Sequence, residues 1–236
     1  MIYSGTSGYS FREWVGAFYP PKTPAGEFLA YYASRLASVE INHTFRRFPR
    51  PDMIQSWADA TPESFKFSFK MHQSVTHMSR LKNVGASVRD FLENLVSLGP
   101  RLGVVLFQLP PFFRLDLERL DAFLQDLPPG HRYAMEFRHE SWNVPEVGAR
   151  LKAAGVCLAG AEVEIESDPA VPVTAPFAYV RLRKTPPYDE EEIAKAGELV
   201  RRLSKEVRDI YLYAKHDDGG IAPEQVKRIQ EAAGVI

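Results

Sequence analysis

The sequence predicts an α/β fold: one domain over residues 1–236, a single (β/α)8 barrel of the TIM type with its functional mouth at the C-terminal ends of the strands. Three observations carry this. Eight short runs of strand character alternate with helical runs, over a length typical of one such domain. The segments after the strands are long and polar, whereas those after the helices are mostly short. The turn after the first strand, GTSGYS, lacks the G-x-G-x-x-G spacing of a doubly wound nucleotide-binding sheet, which is the alternative architecture.

The first strand is Ile2–Thr6, closed by a small polar turn. FREWVGAFYPPKTP, residues 11–24, holds too many prolines and aromatics for a regular helix and reads as a long loop whose rings must bury. A helix over 27–36 leads to SVEIN, where Ser38, Glu40 and Asn42 share one face and Val39 and Ile41 the other. A helix over 52–60 starts after Pro51. KFSFKMH alternates cleanly, with Lys66, Ser68, Lys70 and His72 opposite Phe67, Phe69 and Met71. A helix over 86–98 precedes the apolar strand GVVLFQLPP, which ends at Gln108. After a helix over 115–127 comes the fifth strand, with Ala134, Glu136 and Arg138 on one face and Tyr133, Met135 and Phe137 on the other. A helix over 144–154 and the strand VCLAG lead to an irregular acidic loop, residues 162–176. AYVRLRK is the seventh strand, with Tyr179, Arg181 and Arg183 on one face. The helix over 189–205 has an acidic start, DEEE, that complements its dipole. DIYLYA is the eighth strand, and a helix over 225–233 closes the chain.

Composition narrows the function. The formal net charge is −1, so no global field draws the molecule to nucleic acid or to an anionic membrane. No run of about 18 apolar residues exists, so no membrane partner is expected. The single cysteine, Cys157, permits neither an internal disulfide nor a cysteine knuckle, and MIYSGTSGYS has no secretory character. A cytoplasmic location is the expectation.

The chemistry collects at the strand ends. Lys70, Arg138, Arg181, Arg183 and Lys215 outnumber Glu40 and Glu136 there, which suits a phosphate- or carboxylate-bearing partner, because arginine offers a bidentate fork. The same excess of cations opposes a divalent metal, so neither metal nor cofactor is expected; Glu40, His72, Glu136 and His216 are the ligand set that would contradict this. Glu136 is the candidate general acid/base, with Glu40 and Asn42 orienting it or binding hydroxyls. His77 and His139 are secondary proton-transfer candidates. Thr6, Ser7, Gln108 and Trp142 complete the ligand-binding set, and rim aromatics such as Phe45, Phe48 and Trp142 offer faces for a sugar ring. The structural alternative is that both glutamates merely neutralise Lys70, Arg138 and Arg181.

GTSGYSFREWVGAFYP, VEINHTFRRFP, FKFSFKMHQSVTH, LGVVLFQLPPFF and AMEFRHESW, in this order, resemble the DUF72 or YecE-like family. The resemblance covers nearly the whole chain and implies a TIM-barrel fold with a loose kinship to sugar-isomerase-like barrels. It implies no particular reaction. Tyr9, Arg46, Arg183 and the AKHDD ending of the last strand depart from the family's usual tryptophan, tyrosine, histidine-glycine and asparagine-rich patterns. The last two make this mouth more charged.

The leading expectation is therefore an enzyme, isomerase-like or hydrolase-like, acting on a phosphorylated sugar or similar polyol anion. One alternative is a nucleic-acid-binding or phosphodiester-processing barrel of the endonuclease IV kind, in which Arg46, Arg47, Arg50 and Lys184 track a backbone. Another is a binding protein without catalysis.

Overall fold

The computed structural model describes residues 1–163 and 172–234. The elements run β1 (Ile2–Thr6), α1 (Phe28–Ala33), β2 (Ser38–Ile41), α2 (Pro51–Asp59), β3 (Lys66–Lys70), α3 (Gly85–Glu93), β4 (Leu102–Gln108), α4 (Leu117–Gln125), β5 (Arg132–Glu136) and α5 (Pro145–Ala154). They continue β6 (Cys157–Leu158), β7 (Gly160–Val163), β8 (Phe177–Leu182), α6 (Glu190–Leu203), β9 (Asp209–Ala214) and α7 (Ala222–Ala233). The acidic loop expected after the sixth strand lies largely outside the described residues. No described helix is long and apolar enough to cross a membrane.

Every strand pairing is parallel, as helical crossovers require. The strands form two sheets, ordered β2-β3-β4-β5-β6 and β1-β9-β8-β7, rather than the one continuous ladder expected. The reason lies at two places. The expected sixth strand divides: β6 pairs with β5, β7 pairs with β8, and Ala159 stands between them. Beyond the end of β1, the ladder to β2 shrinks to a single bridge between Ser7 and Glu40, with Gly8 N donating to the Glu40 carbonyl at 2.9 Å. A Cβ on Gly5 would sit 1.8 Å from the Ser38 carbonyl oxygen, so only glycine permits this close approach. The fold is thus α/β with parallel sheets, of a TIM-like kind.

Alternation divides the interior in two. A small cluster drawn from both sheets contains Tyr3, Val104, Leu106, Ala134, Cys157 and Tyr179 with Tyr211 and Tyr213. A larger one joins the opposite strand faces to the helices through residues such as Phe67, Phe69, Phe107, Met135, Trp57 and Phe91. Trp14 and Tyr19 of the long first loop are buried, as its aromatic content demands. Trp14 Nε1 donates to the Asp217 carbonyl at 2.6 Å, and the Asp217 carboxylate accepts from the amides of Ile221 and Ala222 at the start of α7.

Helix ends follow local chemistry. Asp189 and Glu192 form a reciprocal capping box at α6, Asp116 caps α4, and Gly155 ends α5 in the left-handed conformation. The helix expected over 86–98 stops at Glu93, and a distorted 3-10 segment, Val96–Arg101, follows it. Gly99, at φ 51°, and Pro100 lie inside that segment and break its regularity.

Candidate functional site

Strand register builds the site. Gln108 and Glu136 are direct partners on β4 and β5, so the amide Nε2 donates to Glu136 Oε1 at 2.6 Å. That bond fixes the amide, turning its oxygen to accept from Lys70 Nζ at 2.6 Å. Arg138 reaches back two residues, Nε to Glu136 Oε1, at 3.0 Å. From the other sheet Arg181 spans both carboxylates. Its Nη1 donates to Glu136 Oε2 at 2.7 Å, Nε to Glu40 Oε1 at 2.8 Å, and Nη2 to Glu40 Oε2 at 3.2 Å. Glu40 also accepts from Tyr179 Oη, Asn42 Nδ2 and Ser7 Oγ, each at 2.8 Å.

The electrostatics follow from this wiring. Burial alone would raise the Glu40 pKa, but the Arg181 charge and the hydrogen bonds outweigh it and hold the carboxyl below its ordinary value. Burial works against the Arg181 charge, and the two glutamates outweigh it, so the guanidinium holds its proton more firmly than usual. Lys70 is different. Burial, then the charge of Arg181, pushes its pKa down, with Arg138 adding to the effect and Glu136 and Glu40 opposing it, to about 8. Its ammonium stands 4.2 Å from the Phe45 ring centroid. His77 is lowered by burial and by Lys70 and Arg138.

Above this network opens a cavity of about 1240 Å³. Among the described residues its lining holds six cationic side chains, Lys70, Arg138, Arg181, Arg183, Lys184 and Lys215, against one carboxylate, Glu192. Glu192 is itself ion-paired with Lys184. Ser7, Asn42 and Gln108 also line it, and Tyr9, Phe11, Ile41, Met53 and Trp57 form an apolar wall. The result is a concave site with one charged side and one greasy side, suited to a small polar anion with a carbon skeleton.

Eight of the ten side chains expected to bind ligand therefore meet at one cavity. Arg183 does so from just beyond β8, exposed, not from the strand face. The other two do not line it. Thr6 is buried, its N and Oγ1 both bonded to the Tyr32 hydroxyl, at 2.8 and 2.9 Å. Trp142 is buried, donates from Nε1 to the Phe113 carbonyl at 2.7 Å and stacks on Phe137 at 4.5 Å. The four expected proton-transfer residues are also corrected in position. Glu40 and Glu136 are fully covered and lie beneath the lining, with both oxygens of each accepting hydrogen bonds. His139 Nδ1 accepts from Ser141 N at 3.1 Å and caps the turn Glu140–Trp142. His77 pairs its Nδ1 with Thr76 Oγ1 at 2.9 Å and sets its ring against Phe45.

The conceivable ligand set Glu40, His72, Glu136 and His216 is not assembled. The glutamates are held by arginines, His72 Nδ1 pairs with Ser74 Oγ at 2.8 Å, and His216 stacks on Phe11 at 4.7 Å. Among the described residues no group of three or more His, Cys, Asp or Glu side chains is arranged to hold a metal ion. Sequence reading missed Tyr179, Phe11 and Trp57. Tyr179 carried a signal, since it shares a strand face with Arg181; Trp57 carried none, because a tryptophan on an amphipathic helix reads as core.

The comparisons agree with this architecture. The chain is similar to "UPF0759 protein YecE" of Escherichia coli (strain K12), 32% identical over 140 residues that cover 59% of this chain and 49% of that protein. It is 32% identical over 158 residues to "UPF0759 protein YunF" of Bacillus subtilis (strain 168), covering 61% of this chain and 53% of that protein. The chain thus spans about half the length of the curated relatives it matches. The crystal structure of a DUF72 family protein from Thermotoga maritima MSB8 matches with a TM-score of 0.84 at 26% identity, over 99% of both chains. The family model described as "Protein of unknown function DUF72" matches residues 3–235, and the chain belongs to that family.

Proposed function

We propose that this protein is an enzyme that binds a small anionic polyol, a phosphorylated sugar or a near chemical relative, in the cavity above Arg181, and performs acid/base chemistry on it. The observation that carries this reading is the imbalance of the lining, six cations against one paired carboxylate. Arg181 has five N–H groups, and its hydrogen bonds to Glu40 and Glu136 use three, which leaves two for an anion. In this reading Glu40 and Glu136 position Arg181 and Gln108, while Lys70, its pKa pushed down to about 8 by burial and by the charge of Arg181, is a group at the cavity able to give up and retake a proton. We also read the two sheets as one (β/α)8 barrel, with β6 and β7 as a single stave interrupted at Ala159. The Ser7–Glu40 bridge at the opposite seam supports this.

The test is thermal shift with inorganic phosphate, a panel of sugar phosphates and the matching unphosphorylated polyols. Phosphate esters are expected to stabilise the fold, by roughly 2.7 kcal/mol at a hundredfold excess over Kd, while the polyols do not. Lys70→Met and Arg138→Met are expected to reduce the shift. Shifts unchanged in both variants, or no shift with any anion, would remove the reading. A steeply salt-dependent stabilisation by oligonucleotides alone would favour the nucleic-acid alternative instead.

A further inference from the structure

Lys70 differs from every other cation at the cavity floor. Arg138 and Arg181 are guanidinium groups that cannot shed a proton, and each is engaged by a buried glutamate. Lys70 is an amine, and among the described residues it forms no ion pair with a carboxylate. Its contacts are a neutral amide oxygen and a ring face, the Gln108 Oε1 at 2.6 Å and the Phe45 ring at 4.2 Å. The amide orientation is locked from behind by Glu136, so one N–H of Lys70 is held, and the residue lines the cavity. A half-buried amine crowded by guanidinium groups is the arrangement that keeps lysine neutral enough to attack a carbonyl.

We propose that Lys70 is a nucleophile that captures the carbonyl carbon of a small phosphorylated aldehyde or ketone as an imine, with Arg138 and Arg181 holding the anionic group of the same molecule. This rests on the anion reading of the cavity and names its substrate class. The Nζ lone pair forms the N–C bond while the carbonyl π pair moves to oxygen, giving a carbinolamine once that oxygen gains the proton Nζ loses. Expulsion of the hydroxyl with a second proton from nitrogen gives C=N and one water, with no change of oxidation state. The lowered pKa of the amine, about 8, makes the attacking form accessible near neutrality.

The test uses glycolaldehyde phosphate with sodium borohydride, which fixes an imine as a secondary amine, and reads intact mass and peptide maps. The expected result is one saturable adduct at Lys70, heavier by the aldehyde less one oxygen. It should form on the order of a hundredfold faster than at any exposed lysine near neutral pH, because the neutral amine fraction is larger. The rate should rise as pH increases through about 8. Inorganic phosphate should suppress it, and Lys70→Arg should lack it. Adducts spread over surface lysines with Lys70 no faster, or an undiminished mass gain in Lys70→Arg, would overturn the proposal, and an intact phosphate shift in that case would leave the anion reading standing. A Lys70 adduct that forms equally fast from unphosphorylated glycolaldehyde, uninfluenced by phosphate, would keep the nucleophile and remove the anion reading. Mapping in the native chain decides the matter even if the variant does not fold.

Discussion

Arg181 is asked to be both a counter-ion and a ligand contact, and its stability effect can be separated from its binding effect. It is the shared partner of two fully buried carboxylates. Arg181→Met should therefore cost roughly 3–5 kcal/mol in denaturant melts, the usual penalty for breaking a buried pair from one side. Arg138→Met, at a more solvated position, should cost far less. Glu40 gives a pH signature. Its folded-state pKa lies below the ordinary glutamate value of 4.5, so its contribution is fully present above that value and is lost as pH falls through the lower, folded one. Glu40→Gln should flatten the acid limb of a stability–pH curve; an unchanged limb would show that other carboxylates set it. Lys70 has the opposite sense. Its folded-state value of about 8 lies below the unfolded 10.5, so the charge disfavours folding at neutral pH, and that penalty fades as pH rises between the two. The stability of native protein relative to Lys70→Met should rise across that window in urea titrations.

At the scale of elements, two backbone features make sharp predictions. Gly5→Ala would drive a methyl into the Ser38 carbonyl and force β1 from β2, costing about 3 kcal/mol in a thermal or denaturant melt. The segment after the π-helical turn Ser74–Met78 holds Arg80, Leu81 and Asn83 at φ 47°, 66° and 54°. Exposed Arg80 gains nothing visible from that geometry, so Arg80→Gly should stabilise by about 1 kcal/mol. The period of two in KFSFKMH and SVEIN was legible in the sequence and put Lys70 at the cavity, with Glu40 beneath its lining. Pairing was not, because register is a property of two strands. Nothing local in LFQLPP says that Gln108 will lie beside Glu136 and turn its oxygen to Lys70. Thr6 and Trp142 were drawn into the ligand set by residue type and position. They were withdrawn by partners distant in sequence, Tyr32 and Phe113, that satisfy their polar atoms internally. The left-handed run at 80–83 was also invisible, since neither arginine nor leucine announces positive φ.

At the scale of the whole molecule, the cationic cavity sits in a chain of net charge −1, so attraction is confined to the mouth. A small phosphate ester should therefore lose only modest affinity between about 0.05 and 0.2 M salt, unlike a polymer that releases many counterions. Titration at both salt levels checks this. The α/β class with parallel strands was legible because alternation of strand and helix is written along the whole length, whereas the division into two sheets turns on Ala159 and on a single bridge at Ser7. Those two seams give the guanidinium of Arg181 a further meaning. It belongs to β8 of the four-stranded sheet, while Glu40 and Glu136 belong to β2 and β5 of the five-stranded one. Spreading the sheets at this end requires pulling two buried carboxylates away from the guanidinium between them, so local breathing there is tied to one side chain. The amides of Ile41, Glu136 and Leu182 should exchange with solvent deuterium as one cooperative unit in the native chain and at separate, faster rates in Arg181→Met.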